Sequence, residues 1–322
     1  MSLTDPLAHA ARLRADYTGE AYPACRVRLA PQPHGARLIP DAESEQQRLE
    51  HHLLTAIARP FRWTRLPFGI SHLEPARALT LHLDDSAERV RDILSWTLPW
   101  ADPDDSDGEV HGIAGLRLSD WRHGRVSLTV PDTDAKVVLA GLTAATWNTA
   151  LGAYHANLTE IPHARLYWQT DPTAVTAHEA DSTARWEHDD DHRGWWLASG
   201  LLRRTPLFAS TAGPVHTEAW SYPARPGVEW VMEVVCTRPS RTHQEIVTAL
   251  THPRAGLPLR LTGLDCHCGQ DQPRSCTVRL AAAPGHFGSL RLMFNPRAYP
   301  GMQEQRPAVR RRASTRRPAG GR

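Results

Sequence analysis

Apolar residues in the first part of the chain recur at three- and four-residue intervals, the spacing that builds one buried helix face. A helix is expected over Leu7–Tyr17, with Asp5 placed to cap it and Pro6 at the first helical position. The stretch DYTGEAYPAC, with Gly19 and Pro23, then breaks the pattern, and a proline-spotted connector, Ala30–Pro40, follows. A second helix is expected over Ala42–Ala58, striped by Leu49, Leu53, Leu54 and Ile57 and stopped at Pro60.

Beyond residue 60 the period changes. Ala78–Leu83 alternates as a strand, and Asp85 with Glu88 fits a capping box opening a helix that carries Val90, Ile93, Leu94 and Thr97 up to Pro99. After the acidic loop ADPDDSDGEV come two strands, Ile113–Leu118 and Arg125–Val130, joined by the turn DWRHG. The same β-α-β-β order returns later. Val228–Cys236 is a strand, Ser240 opens a helix with Ile246, Val247 and Leu250, and Pro258–Gly263 and Ser275–Leu280 are strands. The two units lie about 150 residues apart and share almost no residue identity, so they fit either an internal duplication or two uses of a common unit. Between them, Leu166–Trp168, Ala174–His178, Ala184–His188 and Trp195–Ser199 have the length and polar spacing of an antiparallel meander.

The expected class is therefore α+β: antiparallel sheets with helices on one face, drawn from two related β-α-β-β units. The chain divides into a helical segment (1–60), a first α+β unit (61–160), a second (161–300) and a disordered Arg-rich tail (301–322). Val137–Tyr154 is an uncharged run of 18 residues, but its three threonines, Asn148 and two glycines favour a buried helix over a membrane span. With no apolar signal-like run in Met1–Arg14 and no membrane partner expected, the cytoplasm is the default compartment.

Composition adds a constraint on size and redox state. A chain of 322 residues with 41% hydrophobic and 22% charged content can hold a core without cross-links. Five cysteines, an odd number, argue against a secreted disulfide scaffold. Charge is unevenly placed. The last 17 residues hold seven arginines and no acid, so the other 305 carry a net −5 against a total of +2. Such a segment cannot bury apolar surface and is expected to stay disordered, with Arg306, Arg310, Arg311, Arg312, Arg316 and Arg317 available to nucleic acid. A solvated tail with no partner, or a phosphorylation site at RRRAST, are the other readings.

Three clusters offer chemistry. Cys266 and Cys268, two apart on a strand, point to one face, and the GQDQPRS segment is long enough to fold back and bring Cys276 beside them. With His252, His286 or Asp265 as a fourth donor they form a zinc candidate. The Cys-x-Cys spacing departs from the usual two- to four-residue separation, so a redox pair or ordinary reduced thiols are the alternatives. Cys25 and Cys236 read as buried small apolar residues. The run Trp186-Glu187-His188-Asp189-Asp190-Asp191-His192 fits a solvated turn, a metal or acid–base site, or a partner contact. Eleven tryptophans, Trp195 and Trp196 among them, fit core packing or a stacking platform.

From Trp186 to Pro253 the chain carries a short strand with Trp186, the segments GWWLASG and EWVMEVVCTRP, and the helix HQEIVTALTHP. Over these roughly 70 residues it resembles an uncharacterised actinobacterial domain of unknown function, often found in two copies. The resemblance implies a β-β-β-α module and no particular activity. No nucleotide-binding, nucleophile-elbow or zincin motif occurs in the sequence. The leading expectation is thus a non-enzymatic cytoplasmic binding protein, DNA-associated through its tail, with no cofactor. A zinc-supported protein or metal-dependent hydrolase using the late cysteines, and a small-molecule binder, are the alternatives.

Overall fold

The computed structural model describes residues 5–59, 63–84, 86–104, 108–119, 121–161, 163–171, 173–189, 192–224, 227–266 and 275–295. Helix α1 (Pro6–Thr18) starts as its sequence requires, the Asp5 carboxylate accepting from the Leu7 amide at 3.0 Å. Gly19 ends it with φ 72°, and a Cβ there would sit 2.9 Å from the Ser71 carbonyl oxygen, so the position demands glycine. Pro23 does not prolong the break. It lies in the first turn of α2 (Tyr22–Leu29), where a missing N–H costs nothing. Helix α3 (Ser44–Ala58) buries Leu49, Leu53, Leu54 and Ile57, the stripe read from its spacing.

Next come β1 (Trp63–Thr64), the hairpin β2 (Ile70–Pro75) and β3 (Leu79–Leu83), and α4 (Ala87–Thr97). The α4 cap is Ser86, whose hydroxyl accepts from the Arg89 amide; Asp85 lies outside the described residues. The ends of the acidic loop pair as β4 (Trp100–Ala101) and β5 (Val110–His111). Strands β6 (Arg117–Leu118), β7 (Arg125–Thr129) and β8 (Lys136–Ala140) follow, then α5 (Ala144–Leu158), β9 (Arg165–Leu166), α6 (Ala177–Asp189) and α7 (Trp195–Leu202). The second half is β10 (Ser210–Pro223), β11 (Val228–Pro239), α8 (His243–Leu250), β12 (Leu259–Cys266), β13 (Cys276–Ala282) and β14 (Ser289–Asn295).

The fold is α+β, and the β-α-β-β order recurs within a larger repeat. In the first sheet the order is β2-β3-β8-β7-β6, and in the second it is β10-β11-β14-β13-β12, with β1 added outside β10. Each half makes a hairpin, crosses over through one helix (α4 or α8), and returns by three antiparallel strands. The last of these inserts parallel to the hairpin's second strand, as β8 beside β3 and β14 beside β11. A parallel neighbour cannot be reached by a tight turn, and this is what the crossover helix supplies. Corresponding strands β3 and β11 begin about 150 residues apart. Each hairpin is preceded by a helix and a 3-10 turn: α3 with Pro67–Gly69, and α7 with Thr205–Phe208. A small third sheet, β5-β4-β9, flanks the first.

The expected meander is not found. Ala177–Asp189 and Trp195–Leu202 are helical, so the Trp186 and GWWLASG segments are not strands as the resemblance implied. Their apolar runs are too short for period to separate a strand from a buried helix, and α7 is buried from Leu197 to Leu202. Val137–Tyr154 is not one helix. Gly141 (φ 82°) turns the chain out of β8, and Thr143 caps α5 by accepting from Thr146. Likewise Ile113–Leu118 is a strand only at Arg117–Leu118, and the α8 cap is Thr242 rather than Ser240. Among the described residues no helix is long and apolar enough to cross a membrane. One apolar cluster runs from Ala10 to Phe294 and takes residues from α3, α7 and both large sheets.

Candidate metal centre

Strand β12 ends on Cys266 and β13 begins on Cys276, and the register sets the two opposite each other. Their Sγ atoms are 3.1 Å apart, well beyond the roughly 2.05 Å of a disulfide bond. A third donor arrives from α8. The Thr242 hydroxyl accepts from the Glu245 amide while the Glu245 carboxylate accepts from the Thr242 amide. That reciprocal cap fixes His243 as the first helical residue. Its ring nitrogen and both sulfurs lie within 4.8 Å of one another. His243 Nε2 is buried and has no hydrogen-bond partner among the described residues.

The fourth donors considered from sequence are elsewhere. His252 Nδ1 accepts from the Arg254 and Ala255 amides at 3.2 Å and so closes the end of α8. His286 packs its ring 5.0 Å from that of Trp196. Asp265 is exposed beside Cys266, and Cys268 lies outside the described residues. His243 itself was not anticipated from the sequence. Its only local signal is the Thr-x-x-Glu cap preceding an apolar helix face, which locates a helix start without saying what it faces.

A second cluster sits on one face of the β2–β3 hairpin. His72 and His82 face each other in register and stack with ring centroids 3.7 Å apart. His82 Nε2 lies 2.9 Å from Glu74 Oε1, and Arg28 donates to Glu74 Oε2 at 2.6 Å. Although the three side chains could in principle ligate a metal, Arg28 already neutralises the carboxylate and near-parallel rings do not converge on a point. The cluster is better suited to sensing protons. Burial, reinforced by His82, holds His72 below the ordinary 6.5. Burial, with Arg254 and His9, does the same for His252. The unfolded chain therefore takes up protons below about pH 6.5 that the folded one refuses, so stability is present above that pH and lost as pH falls. Urea midpoints should decline from pH 7.5 to 5.5, and His72→Gln should flatten the decline; an unchanged slope in that variant would contradict the assignment.

The remaining sequence candidates separate cleanly. The backbone of 186–189 forms the end of α6, while the side chains of the Trp186–His192 cluster lie outside the described residues. Trp195 lies half-buried near the Arg48 guanidinium, 5.9 Å from its ring centre. Trp196 is also half-buried and donates its indole N–H to the Phe287 carbonyl at 3.0 Å. The pair opens a helix, where the sequence pattern predicts a strand over Trp195–Ser199. Cys25 is buried, with its thiol pushed up to about 11 by burial and the neighbouring Glu20; Cys236 is buried as well. The arginines of 306–322 lie outside the described residues.

Five other arginines point inward. Arg14, Arg89, Arg117, Arg203 and Arg204 are each at most 4% exposed. Arg14 pairs with Glu20, Arg117 with Glu179 and Arg203 with Glu50, while Arg89 and Arg204 donate to backbone carbonyls. Comparison with family models, with curated proteins and with solved structures gives no match to the chain.

Proposed function

We propose that the chain is a non-enzymatic cytoplasmic binding protein that engages a phosphate-rich polymer, DNA in the first instance, through Arg306, Arg310, Arg311, Arg312, Arg316 and Arg317. The observation that carries this reading is the segregation of charge, with +7 on 17 residues and −5 on the rest. Phosphate binding by clustered guanidinium groups releases counterions and needs no folded groove. The inward turn of five body arginines supports the same reading, since it takes their guanidinium groups away from the surface. The body then acts as the carrier and the terminal segment as the contact.

The test compares the full chain with one ending at Gln305 on duplex DNA at several salt concentrations. If most of the seven charges meet phosphates, log K should fall against log salt with a slope of roughly −5 to −6 for the full chain. The shortened chain should bind at least about a hundredfold more weakly at 50 mM salt. Equal affinities would dismiss the proposal. A zinc-supported reading is favoured by a separate observation, the convergence of His243 with Cys266 and Cys276.

A further inference from the structure

We infer that His243, Cys266 and Cys276 bind a zinc ion that clips the N-terminus of α8 to the end of the β12–β13 hairpin. The inference is independent of the polymer-binding reading. It rests on three donors from three elements whose ligand atoms lie within 4.8 Å of one another. It rests equally on the state of the imidazole. A buried ring nitrogen without a partner carries a desolvation cost of about 1–3 kcal/mol, and folded proteins rarely leave one uncompensated. A metal is the partner that this nitrogen and two adjacent sulfurs have in common.

The chemistry selects the ion. Two thiolates and a neutral imidazole cancel the charge of a divalent cation, so a partly buried centre bears no net charge. Soft sulfur with imidazole suits zinc and disfavours magnesium, calcium and manganese. The geometry needs only a small adjustment. Zn–S bonds of roughly 2.3 Å at tetrahedral angles hold two sulfurs roughly 3.8 Å apart. The present separation is 3.1 Å, at the last strand pair before the segment that joins β12 to β13, so the adjustment falls on two side chains at one end of the ladder. The His72–Glu74–His82 cluster lacks this fit because Arg28 occupies its carboxylate.

The fold also gives the clip a task. β12 is the outer strand of its sheet, and Arg260, Leu261, Thr262, Leu264 and Asp265 are all exposed. Little apolar burial holds that strand, so its far end gains most from a bond to α8, a helix anchored in the core by Ile246 and Leu250. Binding displaces one proton from each thiol it deprotonates, and affinity falls as pH falls.

Metal content decides the matter. Full-length protein, purified under reducing conditions without chelator, should hold about one equivalent of zinc by elemental analysis. Cobalt exchanged into it should give the thiolate charge-transfer band of a tetrahedral site. His243 is only partly buried and stands at a helix start that alanine tolerates, so His243→Ala should fold. That variant should lose zinc affinity by roughly tenfold or more in chelator competition. Cys276→Ser should lose the charge-transfer intensity of one thiolate. Chelator should lower the thermal midpoint of the native protein, and it should strip zinc from His243→Ala at a lower chelator concentration. Cys268 is kept in every variant, so any contribution it makes is common to all. Less than about a tenth of an equivalent of zinc, a Cys266–Cys276 disulfide in its place, or unchanged affinity in His243→Ala would each overturn the inference.

Discussion

Replacing Glu50 with alanine should destabilise the protein by about 3–5 kcal/mol, because it strands a guanidinium in the core. Glu50 and Arg203 are 0% and 1% exposed at their side chains. Glu50 Oε1 accepts from Arg203 Nη2 at 2.6 Å and from Gln46 at 2.7 Å. Its Oε2 accepts from Arg203 Nε at 2.7 Å and from the Ser199 hydroxyl at 2.6 Å. Both carboxylate oxygens are thus fully used. Arg203 continues outward to the Pro40 and Ala76 carbonyls. After the substitution those carbonyls and the buried charge remain, but the counter-charge is gone. Urea denaturation reads this as a lower midpoint at an unchanged slope. Replacing both partners, Glu50→Leu with Arg203→Met, should recover most of the loss, since an apolar pair removes the stranded charge. Equal destabilisation by the single and double changes would mean that packing rather than charge dominates the site.

The position of that pair explains its weight. α3 precedes the hairpin of the first repeat and α7 precedes the hairpin of the second, so Glu50 within α3 and Arg203 at the C-terminal cap of α7 tie equivalent helices of the two halves. None of this is visible locally. The stripe Leu49, Leu53, Leu54 and Ile57 announces α3, and Asp5-Pro6 announces α1, because periodicity and caps are written within one turn. The alternation in β3 and β11 is also local. The insertion of β8 beside β3 and of β14 beside β11 depends on pairing across the crossover, and no short window contains it. The WWLASG run misled for the opposite reason, since its local pattern fits two structures and burial chose the helix. For the candidate site, two cysteines were legible from their spacing around a turn. His243 was not, because a helix start and a hairpin end meet only after the second sheet has formed.

Trp230 tests how firmly the two halves interlock. It is fully buried in β11, between Ser221 of β10 and Leu290 of β14, and the His51 ring of α3 meets it edge-on at 5.4 Å. A side chain from the second sheet is therefore covered by a helix of the first repeat. Trp230→Ala should cost about 3–5 kcal/mol, combining lost burial with the cavity left beneath α3. Trp230→Phe should behave differently. The indole N–H is buried with no acceptor among the described residues, so phenylalanine gives up volume but also removes an unpaired donor. A cost below about 1.5 kcal/mol is expected for that change. If phenylalanine proved as damaging as alanine, the N–H would have to be bonded in solution and the shape of the pocket would matter less than its polarity. With the expected order, the indole acts here as bulk. The two sheets are then held to each other through α3 by apolar contact at Trp230 and by charge at Glu50, which are separate supports whose losses should add only in part because both bear on one helix.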